Sequence, residues 1–139
     1  MFVAKRQVTI EWGDCDPAGI VFFPRYFAMF DTSTHLMFGA AGIPKPEIIR
    51  RWGILGFPMV DTRARFMIPS AYGDTVEIHT AVSRWGTSSF DVEHKLFRDD
   101  GKLAIEAFDK RVFTKKDPAT GKISSFPIPQ EIIARFEKP

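Results

Sequence analysis

Two hydrophobic periods divide this chain, and the switch between them limits the fold more than any other feature. Phe23, Phe27, Phe30, Thr34, Met37/Phe38 and Ala41 recur at helical spacing, which predicts a long helix from about Pro24 to Ala40. Pro24 suits the first helical position, where its missing N–H costs nothing. Gly39 and Gly42 suit the exit. A short connector helix is expected from Glu47 to Trp52, bounded by Pro44 and Pro46. From Pro58 onward the period is two. Pro58–Ile68, Thr75–Arg84, Ser88–Arg98 and Leu103–Thr114 read as strands, with Val76/Ile78/Val82 and Phe90/Val92/Leu96 as inward sets. Ala71-Tyr72-Gly73-Asp74, Trp85-Gly86 and Asp99-Asp100-Gly101 supply the turns between them. Upstream, Val8, Ile10 and Trp12 alternate with polar residues as one more half-buried strand, and Pro129 opens a short C-terminal helix. One strand, one long helix and then a meander of strands is an α+β order.

With 139 residues the chain is expected to form a single domain over 1–139. Its formal net charge of +2 gives no reason to expect general affinity for nucleic acid or membrane. The lone Cys15 leaves no internal disulfide and fits a reducing compartment. No stretch near the N-terminus has the apolar run of a signal peptide, and polar residues interrupt every candidate span, so a cytoplasmic protein is expected. Phe is abundant at 14 residues, which calls for an aromatic core and leaves some rings for a pocket or interface.

The segment Asp14-Cys15-Asp16-Pro17-Ala18-Gly19-Ile20-Val21-Phe22-Phe23-Pro24-Arg25-Tyr26 sets a carboxylate on a Pro/Gly turn directly before the long helix. Free N–H groups at a helix start can hold a developing oxyanion, so this arrangement suits acyl chemistry. Pro24 has no N–H, which makes the Phe23 amide the nearest usable donor. Asp before Pro is also an ordinary turn-former, and Gly19 an ordinary turn glycine; from spacing alone these readings stand beside the catalytic one. Cys15 lies between two aspartates with no adjacent cation, which disfavours a thiolate and leaves it a packing residue. His35, His79 and His94 show no spacing suited to a Ser/His triad or a metal site.

Asp14 to Tyr26 resembles the pattern of the hot-dog-fold acyl-CoA thioesterases, most of all the 4-hydroxybenzoyl-CoA thioesterase family. The resemblance continues through Asp31, Gly53-Ile54-Leu55-Gly56-Phe57-Pro58, Arg65-Phe66, Ala71-Tyr72-Gly73-Asp74, Trp85 and Ser89-Phe90. It implies an antiparallel sheet wrapped around one long central helix and a homodimer or homotetramer. It also implies hydrolysis of an acyl-CoA thioester without a separate cofactor, coenzyme A being part of the substrate. Asp16 matches the family's catalytic carboxylate, as nucleophile or general base. The acyl dehydratases of the same fold would need a histidine near the helix start that this chain lacks.

Asp31 and His35, four apart on the helix, are expected to pair. Asp31 also lies eight residues beyond Phe23, about 12 Å along the axis. There it could read a hydroxyl at the far end of an aromatic acyl group, as the resemblance implies. For the phosphates of coenzyme A, Arg84, Arg98, Lys102, Lys110, Arg111, Lys115 and Lys116 are candidates, with Ser88 and Ser89 as hydrogen-bond donors. Where the family's 4-hydroxybenzoyl enzymes carry a basic triplet after the Trp, this chain has Gly86-Thr87-Ser88. The expected activity is thus hydrolysis of a 4-hydroxybenzoyl-like acyl-CoA. A short- or medium-chain aliphatic thioesterase and a non-catalytic acyl-binding module are the alternatives.

Overall fold

The computed structural model describes residues 1–137. In chain order the elements are β1 (Ala4–Thr9), α1 (Pro24–Ala40), α2 (Lys45–Trp52), β2 (Met59–Phe66), β3 (Thr75–Trp85), β4 (Ser89–Phe97), β5 (Leu103–Val112), β6 (Thr114–Lys116), β7 (Ile123–Ser125) and α3 (Gln130–Arg135). Five strands form one sheet in the order β1-β3-β4-β5-β2, antiparallel at every neighbour. β6 and β7 make a separate two-stranded ribbon. α1 lies across the inner face of the sheet, over β3 and β1. The expected α+β arrangement, a sheet around one long helix, is what the chain adopts.

Helix α1 buries Tyr26, Met29, Phe30, Ser33, Thr34, Met37 and Phe38, a stripe at i, i+3, i+4 and i+7. Phe23 and Phe27, expected on that stripe, lie outside it: Phe23 precedes the helix and is exposed, and Phe27 is half-buried at the margin. Trp12 is also displaced from the inward set. The strand ends at Thr9 and Trp12 opens a single 3-10 turn, Trp12–Asp14, where its exposed ring meets Tyr72 edge-on.

The inner face of the sheet is apolar at both ends and polar in the middle. Beneath the start of α1, Ile10, Val21, Tyr26, Phe30, Val76, Ile78, Leu96 and Ile105 form one cluster. Beneath its end, Phe38, Phe57, Phe90, Phe113 and Phe136 stack and cross at centroid separations such as 4.9 and 5.2 Å. Between them Thr80 on β3, His94 on β4, and Asp109 and Arg111 on β5 interrupt the apolar alternation, all four buried. Thr80 and His94 are direct cross-strand partners. Buried polar groups are mostly paired, and here Arg111 Nε alone of these four side chains' polar atoms has no partner among the described residues. Thr80 Oγ1 and His94 Nδ1 are 2.9 Å apart, His94 Nε2 and Asp109 Oδ2 3.1 Å, and Thr62 Oγ1 donates to Asp109 Oδ1 at 2.8 Å. Phe30 stacks on the His94 ring at 4.8 Å, so the helix covers this layer directly.

Candidate active site

After β1 the chain doubles back to form the loop that carries Asp16. Cys15 and Val21 pair as an antiparallel bridge. The Asp16 N–H donates to the Ile20 carbonyl at 3.0 Å, and the Phe22 N–H to the Asp14 carbonyl at 2.8 Å. Neighbours in paired extended chain face opposite ways. Cys15 and Val21 therefore turn towards the apolar cluster under the helix start, and Asp16 and Ile20 turn outward. Cys15 is a packing residue here, its Sγ 3.8 Å from the Glu11 carbonyl. Asp14 is structural, since its Oδ2 accepts the Glu11 N–H at 2.9 Å.

The tip of this loop is a β-turn with each residue where turn chemistry favours it: Asp16 first, Pro17 second and Gly19 fourth. It closes through the Gly19 N–H and the Asp16 carbonyl at 2.9 Å. Gly19 has φ of 84°, a conformation open to glycine at little cost. No protein atom lies within 4 Å of where a Gly19 Cβ would be, so the glycine answers to backbone geometry rather than crowding. Asp16 Oδ1 accepts the Ala18 N–H at 2.8 Å. Its Oδ2 accepts no hydrogen bond among the described residues, and the side chain is half-exposed. The turn-forming role of Asp16 thus uses one oxygen and leaves the other for chemistry.

The donors at the start of α1 sort themselves equally clearly. The Arg25 N–H donates to the Phe22 carbonyl at 2.8 Å and the Tyr26 N–H to the Phe23 carbonyl at 3.0 Å, while Pro24 has no N–H. The Phe23 N–H donates no hydrogen bond among the described residues. It remains as a free donor at the positive end of a 17-residue helix.

From that point α1 packs its aromatic side against the edge strand β2. From Phe23 at the N-cap, Phe27, Asp31 and His35 follow on the helix at steps of four residues. Opposite them Phe66 meets Phe27 at 6.1 Å and Tyr26 at 5.7 Å, both between centroids. Asp31 stands two turns into the helix. The expected contact with His35 is present, Nε2 to Oδ2 at 3.5 Å. The stronger partner is one the sequence reading missed: Arg111 Nη2 donates to Asp31 Oδ1 at 2.7 Å. Arg111, expected among the solvated cations for phosphate binding, is buried and unavailable for that role, because β5 turns its side chain inward. Burial holds the His35 imidazole below its ordinary pKa, with help from the charges of Lys45 and Arg111, and Asp31 opposes them only in part.

Arg84, Ser88 and Ser89 lie elsewhere in the subunit. The Asp16 loop bridges through Ile20 to Ala71, just ahead of β3. Arg84, Ser88 and Ser89 surround the other end of that strand, roughly 33 Å away at 3.3 Å per residue. Arg84 sits 4.0 Å from Asp91, and Lys110 meets the same carboxylate at 3.2 Å. One chain does not bring these residues to Asp16.

A family model described as the thioesterase-like superfamily matches residues 10–136. Over 117 residues the chain is 37% identical to the 4-hydroxybenzoyl-CoA thioesterase of Pseudomonas sp. (strain CBS-3), covering 80% of this chain and 82% of that protein. The solved structure of that enzyme superposes with a TM-score of 0.88 at 31% identity, covering 96% of this chain and 98% of the other. A gentisyl-coenzyme A thioesterase superposes with a TM-score of 0.82 at 29% identity, covering 96% and 99%.

Proposed function

The chain belongs to the thioesterase-like superfamily, with the hot-dog fold, and is a thioester hydrolase; we propose that it cleaves aromatic acyl-CoA thioesters of the 4-hydroxybenzoyl class to the free acid and coenzyme A. The observation that supports this reading is an Asp16 oxygen free of hydrogen bonds among the described residues on the loop that leads into α1, together with a free Phe23 N–H at the start of that helix.

The thioester carbonyl oxygen lies on the Phe23 N–H. Asp16 attacks the carbonyl carbon, and negative charge builds on that oxygen, where the amide and the helix start stabilise it. Collapse expels the coenzyme A thiolate and leaves a mixed anhydride on Asp16. Water cleaves the anhydride and restores the carboxylate. General-base activation of water by the same carboxylate delivers the same products.

The spacing along α1 supports an aromatic acyl group. Asp31 lies about 12 Å beyond Phe23 along the axis, and its side chain leans back towards the helix start, within reach of the far end of a ring whose carbonyl is held at Phe23. Two of the similar enzymes act on hydroxylated aroyl thioesters by name, 4-hydroxybenzoyl-CoA and gentisyl-CoA.

The reading includes a second copy and a cytosolic setting. β2 is an edge strand that leaves Met59, Val60 and Phe66 exposed, and such edges need a cover. Arg84, Ser88 and Ser89 reach a site only across such an interface, which makes the functional unit a homodimer or homotetramer. Among the described residues no helix is long and apolar enough to cross a membrane.

A thiol-release assay on benzoyl-, 4-hydroxybenzoyl- and hexanoyl-CoA tests the proposal. The hydroxylated aroyl ester is expected to turn over fastest. Asn keeps the side-chain acceptor of the turn, so Asp16→Asn isolates the chemistry. It is expected to lower kcat by roughly 10³-fold or more. Parent-like turnover in that variant removes Asp16 from the mechanism, and a preference for hexanoyl-CoA moves the assignment to aliphatic thioesters.

A further inference from the structure

We propose that Arg111 is a positioning residue for acyl-group selection, holding Asp31 two turns beyond the start of α1 so that the site favours an acyl ring bearing a neutral hydrogen-bond donor and disfavours one bearing a carboxylate. This deepens the proposed function and rests on it.

The pair is asymmetric in a telling way. The Arg111 side chain is 4% exposed and that of Asp31 is 49% exposed. The guanidinium is anchored inside the sheet, and the carboxylate it grips is open to solvent. Arginine keeps its charge when buried, so a buried guanidinium requires an anion nearby. Asp109 already meets that need: its Oδ2 lies 3.8 Å from Arg111 Nη2, within the layer it shares with His94 and Thr62. Asp31 is therefore a second carboxylate on one cation. His35, the other neighbour of Asp31, is biased towards its neutral form by burial and by Lys45 and Arg111. The surplus negative charge falls on the exposed member of the cluster. It offers an acceptor to a phenol and repels a carboxylate.

Both terminal nitrogens of Arg111 are engaged while Nε has no partner among the described residues, so the forked end fixes an angle as well as a charge. Nη2 holds Asp31 Oδ1 at 2.7 Å, and Nη1 lies 3.5 Å from the Phe57 carbonyl. Lysine at this position would keep the charge and lose the planar fork.

The test measures kcat/KM for 4-hydroxybenzoyl-, benzoyl- and 4-carboxybenzoyl-CoA in the parent and in Arg111→Gln, Arg111→Lys, Asp31→Asn and the Arg111→Gln/Asp31→Asn pair, with a melting curve for each. The parent is expected to favour the hydroxyl ester over the unsubstituted one and to disfavour the carboxyl ester. Both Arg111 variants and Asp31→Asn should each lower the hydroxyl-to-unsubstituted ratio by about tenfold, and the double variant should lower it no further. Should Arg111→Gln fail to fold, Arg111→Lys decides alone. A ratio that survives in a folded Arg111 variant but collapses in Asp31→Asn overturns the proposal, as do additive losses. A parent that hydrolyses the aroyl esters without preferring the hydroxyl also overturns it. A parent that hydrolyses none of them sinks the proposed function instead.

Discussion

The phenol oxygen of Tyr26 accepts the Ser70 N–H at 3.2 Å, tying the first turn of α1 to the segment that steadies the Asp16 loop. The Ser70 carbonyl in turn accepts the Val21 N–H at 2.9 Å, on the strand opposite Cys15. Helix start and carboxylate loop thus share one anchor. Burial is the main reason that the Tyr26 hydroxyl is held above its ordinary pKa, and the Ser70 hydrogen bond offsets only part of it. Tyr26→Phe removes the acceptor and strands a buried N–H. The expected cost is about 1–3 kcal/mol in urea denaturation. Turnover should fall through kcat more than KM, because Asp16 and the Phe23 amide lose alignment while the Phe27–Phe66 contact stays in place. Unchanged stability and kcat would show that the anchor is idle.

Gly19→Ala and Gly39→Ala should move stability in opposite directions, although both sites have open space around a new Cβ. At Gly19 the φ of 84° is costly for an L side chain, by roughly 1–2 kcal/mol. Gly39 lies within α1 on its exposed side, where alanine is favoured by about 0.5–1 kcal/mol. Thermal melts of the two variants read the signs directly. Gly19→Ala should also lower thioesterase turnover, since relaxing the turn swings Asp16. A Gly19→Ala protein as stable and active as the parent would mean that the loop tolerates another turn type.

The buried polar layer should be less tolerant than the apolar clusters around it. In His94→Leu the new side chain is of suitable size, yet it abandons Thr80 Oγ1 and Asp109 Oδ2 in the interior. Burial pushes the Asp109 carboxyl up, but hydrogen bonds from His94 and Thr62, with the charges of His94 and Arg111, outweigh that and hold it below its ordinary range. Deleting His94 removes a large part of that compensation. A loss of about 3–5 kcal/mol is expected. Ile78→Val, in the neighbouring apolar cluster, should cost only about 0.5–1.5 kcal/mol. Comparable losses in the two variants would refute a special role for the layer.

What could be read from sequence follows the range of the forces involved. The turn from Asp16 to Gly19 and the helix beginning at Pro24 were legible because each residue's preference is local: Asp, Pro and Gly in their turn positions, then Pro with no N–H to lose. The strands were legible through alternation. The Arg111–Asp31 contact joins residues 80 apart in sequence, and nothing local announces it. It depends on β5 reaching the right register beside β2 and β4 and on α1 lying above them. One signal was available. The inward sets skipped Thr80 and His94, and those two gaps fall opposite each other across β3 and β4. Trp12 went astray for the converse reason, since alternation outlasted the strand and solvent took the last ring.

Acid should weaken the fold in two steps, each traceable to a group whose native pKa is held down. His35 is the first. Its native pKa is lowered chiefly by burial, while the unfolded chain titrates near about 6.5. Below that point the unfolded state binds the proton more readily, so stability is fully present above about pH 6.5 and declines as pH falls through the native value. His35→Asn removes this titration and should flatten the denaturation midpoint between pH 7 and 5, whatever it does to stability at neutral pH. Asp109 is the second. Its lowered native pKa contributes stability present above the unfolded value of about 3.9 and lost as pH falls through the native one. Asp109→Asn should therefore remove part of the steep loss below about pH 4 and leave the shallower slope near pH 6 in place. Urea midpoints measured from pH 3 to 8 for the parent and both variants separate the two steps. A parent whose midpoint is level between pH 7 and 5 would rule out His35 as a group that folding holds neutral.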